Sequence, residues 1–232
     1  MRRFVRILGT LMIIAGVGAL AWAFTVWKWE DPFTATLNYY EQRELAKSFD
    51  RELEEGRPPA TTPTPVDVRE TLPGSAVKWR RSLQRGDAVA RLRIPRLGLN
   101  EVIVNGTDTD SLKRGPGRYL KSGMPGEGEL VYVAGHRTTY GAPFSRIDKL
   151  RKGDRVFVEL PYATIEYAIT GHRIVESTET SVLESKGIEQ LALQACHPRF
   201  FASHRYIAYA RPVAVAPPGG GASTPIDATG TS

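Results

Sequence analysis

The sequence predicts an all-β fold, a barrel or sandwich with short helices, carried behind one N-terminal transmembrane helix. Two observations predict it. From about Gly86 to Val213 the chain is a succession of short β-branched runs punctuated by Gly and Pro, the pattern of a many-stranded β domain. Residues 7–27, by contrast, carry no charge at all, and at 1.5 Å of rise per residue such a helix crosses a hydrocarbon core of about 30 Å.

The anchor is oriented by its flanks. Arg2, Arg3 and Arg6 precede it and place residues 1–6 in the cytoplasm, while Trp22, Trp27 and Trp29 suit the outer interface. The span is longer than the apolar region of a cleaved signal peptide, and Ala21-Trp22-Ala23 is a poor cleavage site, so the helix is expected to stay. Residues 28–86 then read as a juxtamembrane helix and a stalk. Asn38 to Glu55 is rich in Glu, Lys, Arg, Leu and Ala and predicts a polar helix rather than a core element. The prolines at 58, 59, 63 and 65 predict an extended linker.

In the catalytic-sized region 87–213, strands are expected at 89–94, 102–104, 130–134, 155–159, 163–170, 172–176, 191–195 and 206–210, and eight strands suffice to close a barrel. Short helices are expected at 110–113, 144–150 and 185–190. Residues 214–232, with Pro217-Pro218-Gly219-Gly220-Gly221 and small polar residues, read as a disordered tail.

Composition narrows the function. The 31 basic residues are interleaved with 25 acidic ones, without a basic stripe bearing aromatics, which argues against nucleic acid and fits work beside an anionic membrane or wall polymer. The glycines at 115, 117, 123, 126 and 128 match no phosphate-binding pattern, and no G-x-S-x-G elbow occurs. One Cys with four scattered His does not give a metal-ligand spacing, so neither metal nor other cofactor is expected.

Three residues are candidates to carry chemistry, against the alternatives of an ordinary loop histidine for His136 and a surface salt bridge for Arg205. Cys196, the single cysteine, ends an apolar strand; a lone thiol in an exported domain is either a small buried apolar residue or a nucleophile. A nucleophile needs a base and a positive field. His136 ends another apolar strand and opens the polar loop Arg137-Thr138-Thr139-Tyr140-Gly141, and Arg205 starts the strand that returns from Cys196. A guanidinium there supplies a fixed fork of donors for an oxyanion.

In order, AGHRTTYGAPF at 134–144, LQACHP at 193–198 and RYIAYA at 205–210, behind an N-terminal anchor, resemble sortases, and most of all the class E sortases of actinobacteria. The resemblance implies an eight-stranded sortase-type barrel and a transpeptidase with His136, Cys196 and Arg205 at its catalytic positions. It also implies that Tyr119 binds the second residue of the substrate motif. The expected partners are secreted proteins bearing a Leu-Pro/Ala-x-Thr-Gly type sorting signal and the amine of a peptidoglycan precursor. Ala195 departs from the pattern, which usually has Thr before the cysteine. Two rival readings are an L,D-transpeptidase-like cysteine acyltransferase, whose Ser-His-Gly-Cys surroundings are missing here, and a non-catalytic binding module on the same barrel.

Overall fold

The computed structural model describes residues 2–28, 32–55, 68–219 and 223–226. Three helices come first: α1 (Arg2–Lys28), α2 (Pro32–Glu55) and α3 (Val68–Ser82). The strands follow as β1 (Ala88–Ile94), β2 (Leu99–Asn105), β3 (Gly117–Arg118), β4 (Leu130–Ala134), β5 (Arg155–Glu159), β6 (Thr164–Glu176), β7 (Gln190–His197), β8 (His204–Ala216) and β9 (Thr224–Pro225). A short helix α4 (Thr109–Arg114) lies between β2 and β3, capped by Asp108, whose carboxylate accepts from the Ser111 backbone N–H.

The strands run in the order β6-β5-β1-β2-β3-β4-β7-β8, and β8 pairs back onto β6 to close an eight-stranded barrel, with β9 added along the end of β8. Alternation fills it. Leu92 and Ile94, Val131 and Val133, Leu191, Leu193 and Ala195, and Tyr206, Ala208 and Ala210 all enter one interior core. The intervening Leu130, Tyr132, Ala192 and Ile207 face the other way, where they join Val175 and Val182 in a second apolar layer outside the barrel. That layer is the floor beside which the cysteine is mounted.

Several expectations are corrected. The strands foreseen at 163–170 and 172–176 are one strand, β6, because Gly171 sits at a register shift that lets it continue along β8. β8 runs on to Ala216, past Pro212, which is tolerated at the other irregularity of this ladder. Residues 214–216 are therefore strand rather than disordered tail, and Thr224–Pro225 returns to pair with them. Residues 220–222 and 227–232 of that tail lie outside the described residues. At 144–150 only Ile147–Lys149 forms a 3-10 turn. No helix forms at 185–190, since Gly187 is left-handed (φ 69°) and Glu189 is drawn into the turn at Gly126–Gly128; the turn of helix lies earlier, at Ser181–Leu183.

The largest difference precedes the barrel. α1 is long and apolar enough to cross a membrane. The expected polar helix is present as α2, yet it is not free: Leu45 and Phe49 are buried against Ala88, Val102 and Val104. Gln42 donates to the Val102 and Arg114 carbonyls and accepts from the Val102 N–H. The spacing Asn38, Gln42, Leu45, Phe49 is a helical stripe hidden in a mostly charged sequence. Residues 68–82, read as part of the stalk, are helical, and Leu72 and Ala76 join the barrel core. The prolines at 58, 59, 63 and 65 lie outside the described residues.

Candidate active site

β4 and β7 are parallel neighbours, with Ala134 opposite Gln194 and the Gly135 N–H donating to the Gln194 carbonyl at 2.9 Å. Two residues further along each strand stand His136 and Cys196, so the ladder carries imidazole and thiol to the same level at one end of the barrel, on strands that lie about 4.8 Å apart. Cys196 and Arg205 are direct cross-strand partners of β7 and β8. Because Ala195 and Tyr206 point into the core, the alternation turns Cys196 and Arg205 outward together, onto the face that carries Leu130, Tyr132, Ala192 and Ile207.

The thiol is partly exposed, not a core residue. His136 is held where it is by its loop. Gly135 has no room for a Cβ, which would lie 2.6 Å from the Phe144 ring, and the Phe144 N–H donates to the His136 carbonyl. Tyr140 tilts against the imidazole with ring centroids 5.2 Å apart. Burial pushes the His136 pKa down, so the neutral ring dominates at pH 7, and its Nε2 has no hydrogen-bond partner among the described residues. Arg205 spends Nη1 on the Ala202 and His204 carbonyls at 2.7 and 3.0 Å, which braces the turn between β7 and β8.

Tyr119 lies in the outer layer, edge-on to Tyr132 with centroids 6.4 Å apart. It shares the face of Cys196 and Arg205. The apolar floor beside the thiol is thus Tyr119, Leu130, Tyr132, Val182, Ala192 and Ile207.

One residue was missed by the sequence reading. Arg137 had been only a polar loop residue, yet it is buried and donates from Nη1 to the Cys196 carbonyl at 3.2 Å. The same atom lies 2.9 Å from His197 Nδ1, and Nη2 bonds Asp148 at 3.0 Å. It ties the end of the histidine strand to the backbone of the cysteine. The available signal was its place directly after His136. His197 titrates lower than usual through desolvation and the neighbouring Arg137 and His204. His204 contacts Glu176 at 3.0 Å.

A closed β-barrel that carries Cys196, His136 and Arg205 at one end is the class of domain that the fold and the site define. Residues 92–213 match the sortase domain family, and the chain belongs to that family. It is 35% identical over 134 residues to Sortase D of Bacillus subtilis, covering 56% of this chain and 66% of that protein. It is 32% identical over 148 residues to Sortase SrtE1 of Streptomyces coelicolor, covering 57% of this chain and 42% of that one. The chain therefore spans under two thirds of the first relative's length and under half of the second's. Among solved structures, Sortase E1 from Streptomyces coelicolor with a tripeptide in its active site superposes with TM-score 0.54 at 29% identity, over 57% of this chain and 91% of that one.

Proposed function

We propose that the protein is a membrane-anchored cysteine transpeptidase, with residues 1–6 cytoplasmic, 7–27 in the membrane and the sortase domain outside. The observation that carries this reading is the outward pairing of Cys196 with Arg205 at the level of His136. The Cys196 proton passes to the neutral His136, and Sγ attacks the carbonyl of a sorting motif in a secreted protein. A C–S bond forms as the C–N bond breaks. His136 returns the proton to the leaving amine. Arg205, with the donors not used on Ala202 and His204, holds the oxyanion of the tetrahedral intermediate. A second amine, from a peptidoglycan precursor, then attacks the thioester, gives its proton to His136 and restores the thiol.

The energy of the cleaved peptide bond is retained in the thioester, so the sequence of steps uses neither ATP nor a metal. Tyr119 contacts the second residue of the motif. Supporting this reading are the family membership and the apolar layer that lies on the same face of the sheet as the thiol. The test is mass spectrometry of the protein incubated with pentapeptides of the Leu-Pro/Ala-x-Thr-Gly type. An acyl adduct on Cys196, released by an added amine, is expected. Persistent absence of an adduct with every peptide, in a folded protein whose thiol alkylates freely, would overturn the transpeptidase role.

A further inference from the structure

The polarity of α2 on the barrel says where the membrane is. Its first turns meet the histidine loop: Thr34 Oγ1 accepts from the Tyr140 N–H at 2.9 Å, and Asn38 donates to the Lys113 carbonyl at 3.2 Å. Its later turns meet β1, where Asp50 pairs with Arg91 at 2.6 Å. α1 ends at Lys28, and the six residues from there to Thr34 span at most about 20 Å in any conformation. The apolar helix therefore delivers the barrel by the end that holds His136 and Cys196. The opposite end of α2, 24 residues on, lies roughly 35 Å farther along its axis.

That same end carries an unusual surface. Phe200 and Phe201 sit at the tip of the turn between β7 and β8, 51% and 81% exposed. Arg199, next to them, lines one groove with Gly141 and Ala142 of the histidine loop, the same loop whose Tyr140 N–H bonds Thr34 near the start of α2. Leu37 and Tyr40, in the second and third turns of α2, are exposed as well. Single exposed apolar residues are ordinary, but adjacent phenylalanines at the end where a membrane helix arrives match the composition of an interfacial contact.

The alternative occupant is the substrate peptide. The apolar floor beside Cys196 runs the other way, from Ala192 toward Leu130 and Val182, and the phenylalanines lie beyond the thiol on the side away from it. They are not part of that floor.

We propose that the active-site end of the barrel rests on the bilayer that holds α1, with Phe200 and Phe201 as its interfacial contact. This rests on the reading of α1 as a membrane anchor. The thiol then works within the first layers of solvent above the lipid.

The test uses the full chain with Cys196→Ala, so that one introduced cysteine carries a nitroxide, in nanodiscs of phosphatidylglycerol and phosphatidylcholine. Labels are placed at Ser203→Cys, beside the tip, at Ile188→Cys, exposed at the opposite end of β7, and at Ile13→Cys inside α1. Collisional accessibility to oxygen and to a water-soluble nickel chelate is then measured. Position 13 should favour oxygen, position 203 should show interfacial values, and position 188 should read as water. Adding Phe200→Ser and Phe201→Ser should return position 203 to the values of position 188. Oxygen preference at 13 with water values at 203 overturns the proposal and leaves the anchor reading intact. Water values at 13 overturn both. Protection of 203 only after a sorting peptide is added assigns the phenylalanines to substrate and overturns the membrane contact.

Discussion

The two ends of β7 each gather polar side chains, and they are built on opposite principles. Just before the strand, Glu189 accepts hydrogen bonds from the Gly126 and Gly128 N–H groups at 3.0 and 3.2 Å and from the Tyr167 hydroxyl at 2.5 Å. Burial pushes the Glu189 pKa up and that of Tyr167 well up, and every partner is supplied from within the fold. At the far end of the strand the side chains are equally fixed but not satisfied. His136 Nε2, Arg137 Nε and Arg199 Nε are buried without hydrogen-bond partners among the described residues. A saturated network stiffens a fold, whereas unspent donors and acceptors beside a thiol are what a substrate completes.

If this division is right, substitutions at the open end cost chemistry and substitutions at the saturated end cost stability. Cys196→Ala should give the largest effect, with no acyl adduct and turnover at background. Thermal unfolding should shift by no more than about 0.5 kcal/mol, since the side chain is partly exposed. A loss of several kcal/mol would instead make the cysteine a packing residue. Arg205→Lys should slow acylation by about 10²–10³-fold, or roughly 3–4 kcal/mol, nearly as much as Arg205→Ala, because an ammonium lacks the planar fork. Near-normal acylation by the lysine variant would reduce Arg205 to a source of positive charge.

At the saturated end, Glu189→Ala should destabilise the protein by about 2 kcal/mol or more, leaving two N–H groups and a tyrosine hydroxyl unpaired. Activity per folded molecule should persist. Urea unfolding alongside single-turnover acylation separates the two, and loss of chemistry without loss of stability would erase the contrast.

A finer probe is pH. The imidazolium form of His136 is disfavoured in the fold by burial, so the unfolded chain takes up a proton first as pH falls. Stability tied to this residue is therefore complete above its unfolded pKa of about 6.5 and is lost below it. The acid limb of kcat/KM should also appear only below that value, because His136 must be neutral to accept the thiol proton. His136→Asn should flatten the stability profile between pH 7 and 5. An acid limb already descending above pH 7 would contradict the burial argument. The smallest effect is expected from Tyr119→Phe and Tyr119→Ala, which should reorder preference among peptides differing at their second residue more than they slow the best one. Uniform losses across all peptides would make Tyr119 structural.

What could be read in advance followed from periodicity and adjacency. β4 and β5 were legible to the residue because a run such as Leu130-Val131-Tyr132-Val133-Ala134 ends at glycine, and the meeting of the three candidate residues at one end was legible because each stands where such a run begins or ends. β3 was not, since two residues carry no period; it exists only because Gly117 and Arg118 fit between β2 and β4. α2 was foreseen as a helix but not as a docked one, because four barrel-facing positions are diluted among charges that decide the composition. Arg137 was invisible for a third reason. Nothing in a loop sequence states that a guanidinium is buried; only the meeting of β4 and β7 brings the Cys196 carbonyl to it.

The closure of the barrel by β8 has a consequence for biogenesis. This one strand supplies the pairing partner of both β7 and β6, which until then are open edges, and it also carries Arg205. A chain emerging from its N-terminus can assemble α2, β1 and β2 early, yet its two unpaired edges persist until residues 204–216 arrive. Crossing a membrane as an unfolded thread and folding afterwards is compatible with that order, since the barrel cannot close before residues 204–216 are present. A chain cut short before His204 would lose Arg205 and closure together, leaving β6 and β7 as open edges.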